Sequence, residues 1–208
     1  MKYITSDMKH LHLFFFIGAL LISTVTMAQD QNNESESYFS IGDYPEEFNA
    51  CTVLKRLVDG LGYRYYWATD SLRMDDLNYR SSPDSRTSFE TLQHIEGLSY
   101  GINCFFSGKA VERRPKTEDP DWASLRQQTL DNIRSASDQL ANMNEEQLFE
   151  LKVRFKRSDS ESEFAFWHII NGQISDALWH VGQIVSNRRA SGNPLDPRVS
   201  VFMGKIRE

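Results

Sequence analysis

The chain has 208 residues, is 40% hydrophobic and carries a net charge of −6. An acidic chain with no basic stripe lacks the phosphate contacts that supply most nucleic-acid affinity, so nucleic-acid binding is excluded from the expected functions. The length suits one domain with a substantial core.

The first 28 residues read as a secretory signal peptide. Lys2 and Lys9 precede an apolar run from Leu11 to Val25, and Thr26-Met27-Ala28 supplies small residues before the polar Gln29. Cleavage after Ala28 removes two lysines and one aspartate, Asp7, making the mature chain slightly more acidic. The alternative is an uncleaved membrane anchor. The mature protein is expected to be exported, periplasmic or extracellular, with no stable membrane insertion after cleavage. Residues 29–43, rich in Gln, Asn, Glu and Ser, read as a flexible leader, and residues 44–208 as the folded domain.

Four helical stretches follow. The first is expected over Glu46–Leu72, with Phe48, Cys51, Val53, Leu54, Leu57, Val58 and Leu61 as its apolar stripe. Met74 to Ser85, rich in Asp, Asn, Ser and Pro, is expected to be a loop. The second helix opens at the capping box Thr87-Ser-Phe-Glu90, continues through Leu92, Ile95, Leu98 and Ile102, and stops at Gly108. The third begins near Pro120-Asp-Trp122 and carries Leu125, Ile133 and Leu140. A break and a short extra turn are expected over Met143–Leu148. Lys152-Val-Arg-Phe-Lys156 alternates as a brief extended piece. The fourth helix is expected to start at a second capping box, Ser160-Glu-Ser-Glu163, with Phe164, Trp167, Ile170, Ile174, Ala177, Leu178, Val181 and Val185 as its stripe. Gly192 then ends it. The expected fold is all-α, a four-helix bundle with a short extended segment before the last helix.

Two cysteines, Cys51 and Cys104, leave two readings open, one disulfide or two buried thiols. If the first two helices are antiparallel neighbours, both thiols fall at one end of the bundle, within bridging reach.

The chemistry-bearing residues are few. Asp176 and His180 stand four apart in a helical stretch and project from one face. His94, on another helix, sits at the margin of its apolar stripe. A carboxylate and two imidazoles can hold one divalent cation while leaving positions open, although an Asp–His pair is also an ordinary hydrogen-bonded motif. His168 falls on a different side of its helix from Asp176 and His180. Gln183, one turn beyond His180, is placed to orient a ligand, and Trp179 or Tyr100 to line a pocket.

At these residues the chain resembles the DinB-like superfamily of metal-binding four-helix bundles. The resemblance rests on Gln93-His94-Ile95 and on Asp176-x-x-x-His180-Val-Gly-Gln183-Ile followed by Arg188-Arg189-x-x-Gly192. The segment Leu54–Leu72, with Asp75, Leu77, Tyr79 and Arg80 after it, contributes as well, so the likeness spans about residues 45 to 195. It implies a metal triad at His94, Asp176 and His180, with Asp176 standing where the family usually has a histidine. Two histidines and one carboxylate suit Zn, Ni, Mn or Fe(II). The family implies thiol-dependent S-transferase or metal-dependent hydrolase chemistry on a small-molecule substrate, and homodimers are common in it. The other reading is a non-catalytic envelope protein that binds a ligand or partner and has no use for the metal.

Overall fold

Asn49 opens the first long helix. Its side chain accepts the backbone N–H of Thr52 at 3.0 Å while the Thr52 hydroxyl accepts the Asn49 N–H, a reciprocal cap that satisfies two donors with no intrahelical partner. The structure, a computed structural model, describes residues 38–114 and 121–208. The expected signal peptide lies outside the described residues, as does the leader up to Ser37.

Helix α1 spans Ala50–Thr69, followed by a short helix α2, Met74–Asn78, inside the expected loop. The second long helix, α3, spans Ser88–Phe106, and the strand β1 is Val111–Glu112. Next come α4 (Trp122–Ala141), α5 (Glu145–Glu150) and the strands β2 (Lys152–Arg157) and β3 (Ser160–Ala165). A π-helical segment, Ile169–Ile174, runs into α6 (Ser175–Ala190), and two short strands, β4 (Val199–Ser200) and β5 (Lys205–Ile206), pair antiparallel near the end. Among the described residues no helix is long and apolar enough to cross a membrane.

The long helices form the expected four-helix bundle, with a connectivity the helical pattern did not show. Helix α1 packs on α4 and α6, and α3 packs on the same two. Helices α1 and α3 therefore occupy opposite corners. Their shared core holds Leu54, Val58, Leu61 and Tyr65 of α1 with Leu92, Ile95, Ile102 and Phe105 of α3, all essentially buried. Ile133 and Leu140 of α4 and Ile174, Val181 and Ile184 complete it.

This arrangement corrects the premise behind the disulfide reading, one of the two left open for the cysteines. Cys51 and Cys104 are both free, buried thiols. They sit on diagonal helices, and the premise of antiparallel neighbours fails.

The second correction concerns Ser160–Glu163, which is a strand and not a helix cap. Ser158 and Asp159 turn the chain, and β3 pairs antiparallel with β2 in a register that sets Glu163 opposite Arg154 and Glu161 opposite Lys156. Opposite charges facing across a ladder stabilise pairing, and the ladder outcompetes a local cap. β1 adds to the other edge of β2 in parallel. Phe164 and Trp167, expected in the helical stripe, are exposed. The stripe of α1 is also narrower than expected, since Phe48, Val53 and Leu57 face outward.

The chain end expected as leader is folded from Tyr38 onward. Tyr38 is 6% exposed, and its ring lies where a Cβ on Gly62 would come within 2.5 Å. Glycine at position 62 is what admits the ring. Ile41 donates its N–H to Gly204 O at 2.8 Å, joining this segment to the C-terminal hairpin.

Where α6 ends, Gly192 adopts φ +82° and its N–H bonds Arg189 O at 3.1 Å, while the Asn193 N–H bonds Arg188 O at 2.8 Å. That is the left-handed C-cap expected from the sequence. Just before it, the buried Arg188 donates to Trp67 O (3.0 Å) and Ala68 O (3.2 Å), satisfying carbonyls at the end of α1. Asp76 accepts from Arg73, Ser191 and Asn193, tying α2 to the same corner.

Candidate metal centre

His94 lies in the second turn of α3, which the Thr87–Glu90 capping box starts as expected. Asp176 lies in the first turn of α6, immediately after the π-helical segment, and His180 follows one turn later. Because α3 and α6 pack together, the three side chains meet across their seam. One ligand atom from each lies within 4.8 Å of the others, and among the described residues no other group of three could hold a metal ion.

The carboxylate bridges the Nε2 atoms of the two rings. Asp176 Oδ2 is 3.3 Å from His94 Nε2, and Asp176 Oδ1 is 3.3 Å from His180 Nε2. The two imidazoles stand edge to face, centroids 4.7 Å apart. Donor atoms around a tetrahedral cation with bonds of about 2.1 Å are separated by roughly 3.4 Å; each imidazole is that far from one carboxylate oxygen, and the set of three, within 4.8 Å, can close on one ion by small side-chain movements.

The outer partner of His180 strengthens this fit. Gln183 Oε1 lies 2.8 Å from His180 Nδ1. When Nδ1 donates to that oxygen, the Nε2 of the neutral ring presents its lone pair to the Asp176 carboxylate. Two lone pairs facing each other require a positive centre between them, a proton or a metal cation. His94 is held toward the neutral form. Burial pushes its pKa below the ordinary histidine value, and the Asp176 carboxylate opposes that shift, while His180 and Arg86 reinforce it. Neutral imidazole is the metal-ligating form.

A cleft of about 740 Å³ opens beside His180 and Gln183. Its walls include Arg86, Trp179 and Asn187. Trp179 therefore lines a pocket as expected, whereas Tyr100 is not part of this cleft. Arg114 stacks 3.8 Å over the Tyr100 ring and binds both oxygens of the nearly buried Glu96. His168 is exposed and packs on Phe164, away from the triad.

Sequence reasoning missed Arg86 and Asn187. Arg86 directly precedes the Thr87 cap, and Asn187 binds Ser88 at 3.1 Å from the last helix. Only the docking of α3 on α6 puts Arg86 beside His180, whereas Asn187 stands two turns beyond His180 on the same face of α6, a spacing that the sequence did carry.

The chain is similar in fold to two solved structures, both described as DinB proteins. One is a DinB-like protein from Bacillus subtilis, 14% identical, with a TM-score of 0.49 over 72% of this chain and 99% of that one. The other is a DinB family member from Shewanella denitrificans, 16% identical, with a TM-score of 0.46 over 76% of this chain and 91% of that one. No protein-family model matches the sequence, and neither does any curated protein.

Proposed function

We propose that this is an exported, metal-dependent enzyme that activates water on a small substrate, with His94, Asp176 and His180 holding the cation. The observation that carries the reading is the pair of imidazole Nε2 atoms each 3.3 Å from an oxygen of the same carboxylate. When bound in a three-ligand site, a divalent cation polarises a substrate oxygen and acidifies water toward neutrality.

The chain's own residues supply the rest. Gln183 fixes the His180 ring, so its ligating nitrogen stays aimed at Asp176. Asp176 contributes the negative charge that two neutral imidazoles lack. Arg86 and Trp179 border the adjoining cleft, offering a cation and an aromatic face to whatever enters. Export favours water over a thiol, because low-molecular-weight thiol co-substrates are mainly cytoplasmic.

Metal content by mass spectrometry of the purified protein tests the site, with the double variant His94→Ala, His180→Ala alongside. About one Zn, Ni, Mn or Fe per chain is expected in the wild type and none in the variant. Equal content in the two overturns the reading. N-terminal sequencing of the exported protein tests the compartment, with Gln29 expected as the first residue.

A further inference from the structure

On the opposite side of α6 from the triad lies a larger concavity, about 1160 Å³, that the metal chemistry does not use. One wall is the outward face of α1, where Val53 and Leu57 are exposed. The facing wall is α6, through Leu178, Val181 and Val185. Phe48 and Phe202, each more than nine-tenths exposed, stand at its margins. The walls carry glycines at Gly60 and Gly182, and a Cβ at Gly182 would meet nothing within 4 Å.

The charges in the groove are one-sided. Arg56, Arg64 and Arg189 line it, in a chain whose net charge is −6. Arg56 donates to Gly42 O and lies over the Tyr44 ring, and Arg64 donates to Gly60 O and Val201 O. Those partners are carbonyls and a ring, so they leave the positive charge uncompensated. Arg189 is exposed, and none of the three has a carboxylate partner among the described residues. The acid in the lining, Asp196, is already paired with Arg198 at 2.7 Å.

We infer that this groove binds a single-chain anionic amphiphile, a free fatty acid, with the acyl chain along the aliphatic walls and the carboxylate on one or more of the arginines. Apolar walls with a few convergent polar groups, at a volume near that of small-molecule sites, describe such a pocket. Guanidinium is the group best matched to a carboxylate. A second copy of the chain is a poor occupant. A two-fold interface joins the same patch on both subunits, and here it would set six arginines against one another. The inference is independent of the metal site.

Titration calorimetry of the purified protein with oleate, below its micelle concentration, tests the groove against oleyl alcohol as the uncharged counterpart. Saturable 1:1 binding of oleate is expected, weakened about tenfold for the alcohol and about tenfold in the double variant Arg64→Gln, Arg189→Gln, with Arg→Lys at both positions recovering part of the loss. Leu57→Asp, on an exposed face, is expected to abolish binding while circular dichroism stays that of the wild type. Three results would overturn the inference: no saturable oleate binding, equal affinity for oleate and the alcohol, or wild-type affinity in the arginine variant. Sedimentation and vesicle binding cover the other occupants. A dimer dissociated by Leu57→Asp that takes up no oleate assigns the groove to a second copy. Binding to phosphatidylglycerol vesicles without binding of monomeric oleate assigns it to a membrane surface. Either outcome defeats the proposal.

Discussion

Gln183 holds His180 from its own helix: its Oε1 lies 2.8 Å from the ring Nδ1, three residues away in sequence. That contact selects which nitrogen of the ring faces Asp176, so a residue that need not touch a cation governs the ligand that would.

Gln183→Leu is therefore expected to weaken metal binding by roughly 10- to 100-fold while leaving the fold intact. Competition with a chromophoric chelator measures the change. Asp176→Asn removes the charge and is expected to weaken binding more strongly, whereas Asp176→His, which adds a third imidazole, is expected to retain it. Unchanged affinity in Gln183→Leu would refute the orienting role.

The corner around Asp76 makes stability depend on acid. Arg73, Ser191 and Asn193 bond its carboxylate, and the Arg73 hydrogen bond is the foremost cause that holds its pKa well below the ordinary carboxylate value of 3.8. A folded-state pKa below the unfolded one contributes stability above the unfolded value, and that stability is lost as pH falls through the folded one. Urea midpoints should thus decline as pH drops below about 4 in the wild type, and less steeply in Asp76→Asn. At neutral pH the variant is expected to be about 2–4 kcal/mol less stable, since it removes the charge that Arg73 pairs with and replaces one of the two acceptor oxygens by an NH2 donor. Parallel declines in the two proteins would show that Asp76 is not the titrating group.

Tyr38 and Gly62 form a lock at the start of the folded unit. Gly62→Ala places a methyl group 2.5 Å from the ring atoms of Tyr38, and overpacking of this kind costs about 1–3 kcal/mol. A chain beginning at Tyr38 should match the full mature protein in thermal unfolding, whereas one beginning at Tyr44 should melt several degrees lower. Equal melting of the two truncations would return residues 38–43 to the leader.

Thiol titration of denatured, unreduced protein is expected to find two reactive groups per chain, Cys51 and Cys104. Below neutral pH the native protein should react slowly at Cys51, because burial and the nearby Glu145 both raise its pKa. No reactive thiol after denaturation would mean that the diagonal placement of α1 and α3 is wrong.

The helical periods of α1, α3, α4 and α6, the Thr87 box and the Gly192 cap were legible because each is a local pattern that the backbone satisfies within a few residues. The Ser160–Glu163 box was misleading for the complementary reason. Its glutamates face Arg154 and Lys156 across a ladder, and a local reading has no access to the partner strand. His94, Asp176 and His180 stood out by residue type and, for two of them, by spacing.

By itself, the sequence determined the all-α class, the existence of four long helices and the identity of the candidate ligands, since composition and short-range periodicity act along the chain. Tertiary structure alone decided which helices are neighbours. That choice depends on how side chains from distant segments pack, and it has opposite consequences for two pairs of residues. Docking α3 on α6 brings His94 to Asp176, and putting α1 diagonal to α3 keeps Cys51 from Cys104.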